Sequence, residues 1–125
     1  MDTDLEKLRL HCLGRPGAVE GHPFGPGALV IKVGGKIFAI IAEGADPLRV
    51  SLKCEPEIAV AVRRRYAAVE PGYHLNKRHW NTVTLDGSVD DEQVLEWVDD
   101  SYDLVFHSLP ASVRNDVAAA ETNSH

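Results

Sequence analysis

Two apolar, β-branched runs joined by a pair of glycines constrain the fold of this chain more than any other feature. The runs cover residues 29–33 and 36–41, and Gly34-Gly35 lies between them. Consecutive glycines favour a type I′ turn, because that turn needs positive φ at both central positions. The pattern therefore predicts a tight antiparallel hairpin in which Ile31 pairs with Phe38. Both faces of this hairpin are largely apolar, which predicts a central position in a sheet.

Two further stretches are predicted to be strands. The stretch from Arg49 to Lys53 alternates between polar and apolar residues, which directs both of these basic side chains outward. Residues 80–85 alternate in the same way and place Asn81 and Trp80 on opposite faces. These strands extend the sheet beyond the hairpin.

Three helices are predicted from capping residues and from the spacing of apolar side chains. Thr3 and Glu6 form a capping box that starts the first helix. Pro56 suits the first turn of the second helix, where its missing amide costs nothing. Ser88 precedes the longest helix, which ends before Pro110. The buried stripe predicted for the second helix is Ile58, Val62 and Tyr66.

The order of these elements predicts the fold class. Helices grouped against one side of a run of antiparallel strands indicate an α+β fold with an antiparallel sheet of about five strands. A short edge strand is predicted around Val19, and Phe24 is expected to pin the following loop to the core. The chain is predicted to form one domain over residues 1–125, with the polar, Ala-rich residues 118–125 frayed.

The charges of the chain are unevenly distributed. Lys and Arg number 13 against 19 Asp and Glu, and the resulting net charge of −6 disfavours sequence-independent binding to nucleic acid. Residues 49–80 nevertheless contain seven Lys and Arg against three Glu, whereas residues 86–103 contain eight acids and no Lys or Arg. Opposite charges are therefore predicted on different elements.

The sequence gives no sign of membrane insertion or export. No apolar run approaches the roughly 20 residues that span a bilayer, and the acidic N-terminus is unlike a signal peptide. Cys12 and Cys54 are far apart and lack a Cys-x-x-Cys pattern, which predicts reduced thiols in a cytoplasmic protein without membrane contacts.

Several common catalytic and cofactor-binding patterns are missing. No glycine loop matches a phosphate-binding motif, and no Gly-x-Ser-x-Gly elbow occurs. His74 and His79 lack further Cys or His ligands at the spacing of zinc sites. We therefore predict no cofactor, no metal and no catalytic residue.

The richest stretch in binding groups is PGYHLNKRHWNT at residues 71–82. Its cations suit anions, its amides can form paired hydrogen bonds, and Tyr73 and Trp80 offer stacking surfaces. The stretch predicts recognition of a phosphate, a carboxylate or a nucleic-acid backbone. An equally weighted alternative is that the aromatic residues fill the core and the polar groups satisfy the loop backbone.

This stretch resembles the signature of the MmcQ/YjbR family of small bacterial proteins. Supporting similarities occur in the family's order from residue 5 to residue 109, including VGGKIFA at 33–39, SLKC at 51–54 and DDSYDLV at 99–105. The resemblance implies a frataxin-like, or CyaY-like, fold with helices on one face of an antiparallel sheet. Family members are commonly labelled DNA-binding, because the fold resembles the double-wing module of the phage transcription factor MotA. Glu55 stands where the family usually has Asp, which predicts a weaker helix cap.

The leading functional hypothesis is a non-enzymatic binding module for an anionic partner, with DNA implied by the family. The residues predicted to form the site are Arg49, Lys53, Tyr73, His74, Asn76, Lys77, Arg78, His79, Trp80 and Asn81. The alternative is a binder of a phosphate- or carboxylate-bearing metabolite, or a minor enzyme that uses His74 or His79 as an acid–base group.

Overall fold

The computed structural model describes residues 4–72 and 75–123 of the chain. Within these residues, six strands and four helices are defined. The strands are β1 (Val19–Gly21), β2 (Ala28–Val33), β3 (Lys36–Ala42), β4 (Arg49–Lys53), β5 (Val69–Pro71) and β6 (Trp80–Thr84). The helices are α1 (Leu5–Leu13), α2 (Pro56–Arg65), α3 (Asp91–Ser108) and α4 (Ala111–Asn123).

The strands form one antiparallel sheet in the order β1-β2-β3-β4-β6-β5. The α+β class and the antiparallel sheet predicted from the sequence are confirmed, with six strands instead of about five. The additional strand is β5, three residues long and ending in a proline, and it pairs with β6 at the sheet edge. Among the described residues, no helix combines the length and the apolar character needed to cross a membrane.

The β2–β3 hairpin has the predicted turn but a different register. Gly34 and Gly35 have φ values of 58° and 83°, as a turn with two left-handed residues requires. Ile31 pairs with Ala39 instead of Phe38, because a bulge lies between the turn and this pair. Both Phe38 and Ala39 are fully buried. The prediction that Ile31 pairs with Phe38 is therefore wrong by one residue.

Helix α3 covers the centre of the sheet. Its residues Val94, Val98 and Val105 are buried, and the Tyr102 ring meets the Phe38 ring edge-on with centroids 5.3 Å apart. Ser101 is fully buried and joins α3 to two strands at once. Its Oγ accepts a hydrogen bond from the Lys53 amide at 2.8 Å and donates one to the Phe38 carbonyl at 2.6 Å.

Helix α1 packs on the core through its buried residues Leu8 and Cys12, and polar contacts link α1 and the turn after it to α3. Asp4, not Thr3, caps α1, because the Asp4 Oδ1 accepts from the Lys7 amide at 2.8 Å; Thr3 lies outside the described residues. His11 Nε2 lies 2.9 Å from Asp99 Oδ1, and the Tyr102 hydroxyl donates to the Pro16 carbonyl at 2.7 Å. These contacts attach the first helix to the middle of α3.

The starts of α2 and α3 differ in how well the sequence predicted them. Pro56 begins α2 as predicted, and its N-cap Glu55, for which a weaker cap was predicted, makes no side-chain cap hydrogen bond. Helix α3 begins at Asp91, after the predicted start at Ser88. Ser88 instead donates its backbone amide and its hydroxyl to Asp86, at 2.9 and 2.6 Å, which forms a separate turn.

The structure differs from the sequence predictions for the burial of two side chains and for the C-terminal tail. Ile58 was predicted to be buried but is 52% exposed, and Ala59 is the buried residue of α2. Phe24 does not pin its loop to the core, since it is 67% exposed. Helix α4 continues to Asn123, beyond the point at 118 where fraying is predicted. Alanine has the highest helix propensity, which accounts for regular structure in this Ala-rich stretch.

Candidate functional site

The residues predicted to bind an anion occupy β4, β6 and the loop between β5 and β6. Tyr73 and His74 lie outside the described residues, so the loop is described from Leu75 onward. The remaining eight predicted residues all fall in these adjacent elements, because β4 pairs with β6.

Strand alternation gives β4 and β6 a polar face turned away from the helices. Register pairs Arg49 with Thr84, Ser51 with Thr82, and Lys53 with Trp80. The intervening residues are buried on the helix side. The β4–β6 outer face is defined by Arg49, Ser51, Lys53, Trp80, Thr82 and Thr84.

The hydroxyl groups in the middle of the β4–β6 outer face confirm its orientation. Ser51 Oγ and Thr82 Oγ1 lie 2.8 Å apart, within hydrogen-bond distance, so both side chains point to the same side of the sheet. Trp80 is partly exposed two register positions away, where it pairs with Lys53. The face therefore combines two cations, three hydroxyls and one aromatic ring.

The loop before β6 is folded by its own amides and leaves its cations in solvent. Asn76 Oδ1 accepts from the Arg78 amide at 3.0 Å, and the Asn76 carbonyl accepts from the amides of His79 and Trp80 at 3.1 and 2.9 Å. Lys77 and Arg78 are exposed at the tip of this turn. The side-chain amide of Asn76 thus shapes the loop, as an Asx turn does.

Asn81 lies on the buried side of the sheet and binds other parts of the protein. It is 5% exposed, its Oδ1 accepts from Arg63 Nη1 at 2.8 Å, and its Nδ2 donates to the Ala59 carbonyl at 3.3 Å. Arg63 also reaches the Lys77 carbonyl at 3.4 Å. Asn81 and Arg63 therefore join β6 and the loop to α2. Arg63 is the first of three consecutive arginines in the sequence, but the run alone does not indicate which of them contacts Asn81.

His79 and Cys54 meet through the backbone. The Cys54 amide donates to the His79 carbonyl at 2.7 Å. Burial raises the pKa of the Cys54 thiol, and the carboxylates of Asp100 and Glu55 raise it further. A thiol with a raised pKa is mostly protonated near neutral pH, which argues against a nucleophilic role.

A pocket of about 520 Å³ lies on the helix side of the sheet, opposite the β4–β6 outer face. It opens between α2 and α3, above β4, β5 and β6. Of the predicted site residues that the structure describes, Lys53 and Asn81 line it. The sequence did not predict this pocket. Its lining comes from five elements that are separated along the chain.

The acidic residues of α3 belong to the helix layer. Asp99 and Asp103 form ion pairs with Arg15, with N–O distances of 3.7 and 3.6 Å. Asp91 binds Lys7 at 3.1 Å. The described residues contain no group of three or more His, Cys, Asp and Glu residues arranged to hold a metal ion. The acids of α3 therefore lie on the helix side of the sheet together with the cations Lys7 and Arg15, while Glu70 pairs with Thr82 on the outer side.

Comparison with known proteins identifies related sequences. The YjbR family model matches residues 13–104. The Uncharacterized protein YjbR of Escherichia coli strain K12 is 39% identical over 110 residues, which are 88% of this chain and 93% of that relative. The Uncharacterized protein YbdF of Escherichia coli O157:H7 is 34% identical over 87 residues, which are 70% of this chain and 71% of that relative.

Solved structures with the same fold are also found. The crystal structure of Deinococcus radiodurans protein DR2400, with its DUF419 domain, gives a TM-score of 0.87 at 37% identity and covers 94% of this chain and 92% of that one. A crystal structure of a Pseudomonas syringae protein gives a TM-score of 0.71 at 24% identity, covering 82% of this chain and 99% of that one. The second similarity concerns the fold alone.

Proposed function

The chain belongs to the YjbR family, and from the geometry of its sheet we propose that it is a non-enzymatic module that binds single-stranded DNA. The observation that carries the proposal is the register of β4 with β6, which lines up Arg49, Lys53 and Trp80 on the face of the sheet opposite the pocket between α2 and α3. Cations beside an exposed aromatic ring are the groups with which sheet surfaces bind single strands.

Each part of the β4–β6 outer face has a distinct role in this proposal. Lys53 and Arg49 contact phosphates, and the partly exposed ring of Trp80 stacks on one unpaired base. The hydroxyls of Ser51 and Thr82 donate or accept hydrogen bonds along the backbone of the strand. A base pair in a duplex has no free face to offer Trp80, so we expect single strands to bind more tightly than duplexes.

The loop tip extends this surface. Lys77 and Arg78 are exposed, and the Asn76 hydrogen bonds fix the turn that carries them. Asn81 contributes indirectly, because it anchors β6 to α2 through Arg63. In this proposal the two asparagines position the cations and do not contact DNA.

The net charge of −6 is compatible with the proposal because many of the acids belong to α3, on the helix side of the sheet, whereas Glu70, which pairs with Thr82, is an acid on the outer side. At physiological salt the Debye length is about 8 Å, so charges across the sheet from a bound strand are largely screened. The acids reduce affinity mainly at low salt. We therefore expect weak binding, with a Kd on the order of 10⁻⁵ M, in the usual range for non-specific association.

Fluorescence anisotropy with a labelled single strand of about 16 nucleotides tests the proposal, since one binding fold covers about 4–16 nucleotides. Trp80→Leu keeps an apolar side chain but removes the stacking surface, and we expect it to weaken binding roughly 5- to 100-fold. Lys7→Gln, on α1 in the helix layer, is the matched control and should leave affinity unchanged.

Three outcomes would reject the proposal. One is a Kd no tighter than about 10⁻⁴ M for single strands at low salt. Another is equal loss of affinity in Trp80→Leu and Lys7→Gln, which would indicate general destabilisation. The third is stabilisation by inorganic phosphate or citrate in a thermal-shift assay with no binding to DNA, which would favour the metabolite alternative.

A further inference from the structure

The pocket between α2 and α3 has walls that suit an apolar molecule. Leu52 and Val83 form part of its floor on the sheet, and Val62 and Leu104 face each other from the two helices. Trp97 also lines the pocket, and its ring packs edge-on against Tyr66 with centroids 5.2 Å apart. A volume of about 520 Å³ falls in the range of small-molecule sites.

The polar groups around this pocket are predominantly acidic. Glu55, at the N-terminus of α2, and Asp100 and Asp103, on α3, all line it. Asp103 is paired with Arg15 at 3.6 Å. Within the described part of the chain, no ion pair or side-chain hydrogen bond is found for Glu55 or Asp100. Both carboxylates line the pocket together with Cys54, and both raise the pKa of the Cys54 thiol.

The basic groups nearby are engaged elsewhere. The Arg63 guanidinium donates to Asn81 and to the Lys77 carbonyl. Strand alternation directs the Lys53 side chain to the outer face of the sheet, while its backbone amide binds Ser101 inside. His107 is the remaining lining residue that can carry positive charge. The mouth of the pocket therefore has an excess of negative charge.

We propose that this pocket binds a small organic cation with an apolar body, such as an alkylammonium or arylammonium compound. The ammonium group lies between Asp100 and Glu55, and the apolar body packs on Leu52, Val62 and Leu104. The face of the Trp97 ring would attract the ammonium group more than it would a neutral molecule. An anion of the same shape would be repelled by the carboxylates of Glu55 and Asp100.

The repulsion among the acids supports this assignment. Burial raises the pKa of Asp100, and the neighbouring charges of Glu96, Asp103 and Asp99 raise it further. A bound cation reduces this repulsion among the carboxylates, and the reduction makes the free energy of binding more favourable.

Titration followed by amide and indole NMR tests the proposal with phenethylammonium chloride and, as a charge-reversed control of similar shape, sodium 3-phenylpropanoate. We expect phenethylammonium to shift the Trp97 indole signal, assigned with Trp97→Phe, with a Kd on the order of 1 mM, as suits a ligand of about nine heavy atoms. The carboxylate should produce no saturable shift.

Two variants separate charge from shape. Asp100→Asn removes one carboxylate and should weaken phenethylammonium binding about threefold to tenfold, the range of a partly screened ion pair. Ile58→Trp places a large side chain at the half-exposed pocket wall and should abolish binding while the amide spectrum stays folded. Equal binding of the two probes, or unchanged affinity in Asp100→Asn, would overturn the proposal, as would the lack of any saturable shift with phenethylammonium.

Discussion

Loss of the Ser101 hydroxyl, a single oxygen atom, should clearly lower the free energy of unfolding. Its hydroxyl bridges the Lys53 amide and the Phe38 carbonyl in a fully buried position. Ser101→Ala leaves both backbone groups without this partner, and a buried unsatisfied polar group costs about 1–3 kcal/mol. We expect urea denaturation to show a loss of this size in the free energy of unfolding.

Ser112→Ala is the matched control for Ser101→Ala. Ser112 lies exposed on α4, so the same substitution there should change the free energy of unfolding by less than about 0.5 kcal/mol. A similar small effect at Ser101 would mean that water or side-chain rearrangement replaces its two hydrogen bonds.

Asp100 should make the stability of the protein depend on pH in a direction unusual for a carboxylate. Its pKa in the folded protein is raised above the ordinary value of 3.8 by burial and by the charges of Glu96, Asp103 and Asp99. The folded state therefore holds the proton more tightly than the unfolded state does. This contribution to stability is complete below the ordinary pKa and is lost as pH rises through the raised one.

The substitution Asp100→Asn removes this loss of stability with rising pH. We expect the variant to have a higher Tm than the wild type at about pH 7, and the difference to shrink as pH falls toward 4. Glu96→Gln should give a smaller gain in the same direction, since Glu96 is one of the charges that raise the pKa. A lower Tm for Asp100→Asn at neutral pH would show that its carboxylate is stabilised by a partner.

The hairpin turn shows how two neighbouring glycines can serve different purposes. Both have positive φ, but a Cβ at Gly34 would lie 2.6 Å from Leu109 Cδ1 and 2.8 Å from Val113 Cγ1. A Cβ at Gly35 meets nothing within 4 Å. Gly34 therefore provides both turn geometry and room for the helix layer, whereas Gly35 provides turn geometry alone.

Substitution by asparagine separates these two requirements, because asparagine tolerates left-handed backbone conformations better than most residues. We expect Gly35→Asn to change the free energy of unfolding by less than about 1 kcal/mol, and Gly34→Asn to lower it by about 1–3 kcal/mol through overpacking. Thermal or urea denaturation of the two variants provides the comparison. Equal losses would indicate that backbone conformation alone decides both positions.

The sequence predicted elements well where local signals were strong and poorly where pairing depended on distant residues. The glycine pair and the alternation in β4 and β6 are local signals, and they led to the correct turn and strands. The bulge at Phe38 and strand β5 have no such signal. The bulge lets Phe38 meet Tyr102, and β5 exists because Val69–Pro71 pairs with β6, so both depend on the tertiary fold.

In the candidate site, too, features set by local sequence could be predicted, whereas features set by tertiary contacts could not. Lys53 and Trp80 could be placed on one face from alternation alone, but their adjacency depends on the pairing of β4 with β6. Asn81 was expected in the site because of its residue type. Its burial, and the Arg63 contact that engages it, depend on where α2 packs. The pocket was unpredictable for the same reason, since α2, α3 and three strands supply its lining.

At the scale of the whole molecule, the number of cations on the proposed DNA-binding surface predicts how DNA binding depends on salt. Contact with three or four phosphates through Arg49, Lys53, Lys77 and Arg78 gives a slope of log K against log salt of about −2 to −3 for a single strand. Replacing Lys77 and Arg78 by glutamine should reduce the magnitude of this slope by about 1.4. Anisotropy titrations over a range of NaCl concentrations measure it.

Acidic residues of the helix layer provide the control. Glu92→Gln combined with Glu96→Gln should raise affinity slightly at low salt and leave the slope unchanged, because neither residue contacts a phosphate in the proposal. A slope that changes with these two substitutions would place the bound strand on the helix side of the sheet.

The strand order determines which strand edges are unpaired while the chain is being synthesised. Strand β6 is the last strand in the chain, yet it lies between β4 and β5. Until residues 80–84 leave the ribosome, the inner edge of β4 has no neighbour, and β5 has nothing to pair with. An unpaired strand edge is a template for association with other chains. A nascent or truncated chain that ends before Trp80 is therefore the form of this protein that we expect to aggregate, and completion of β6 removes that risk in one step.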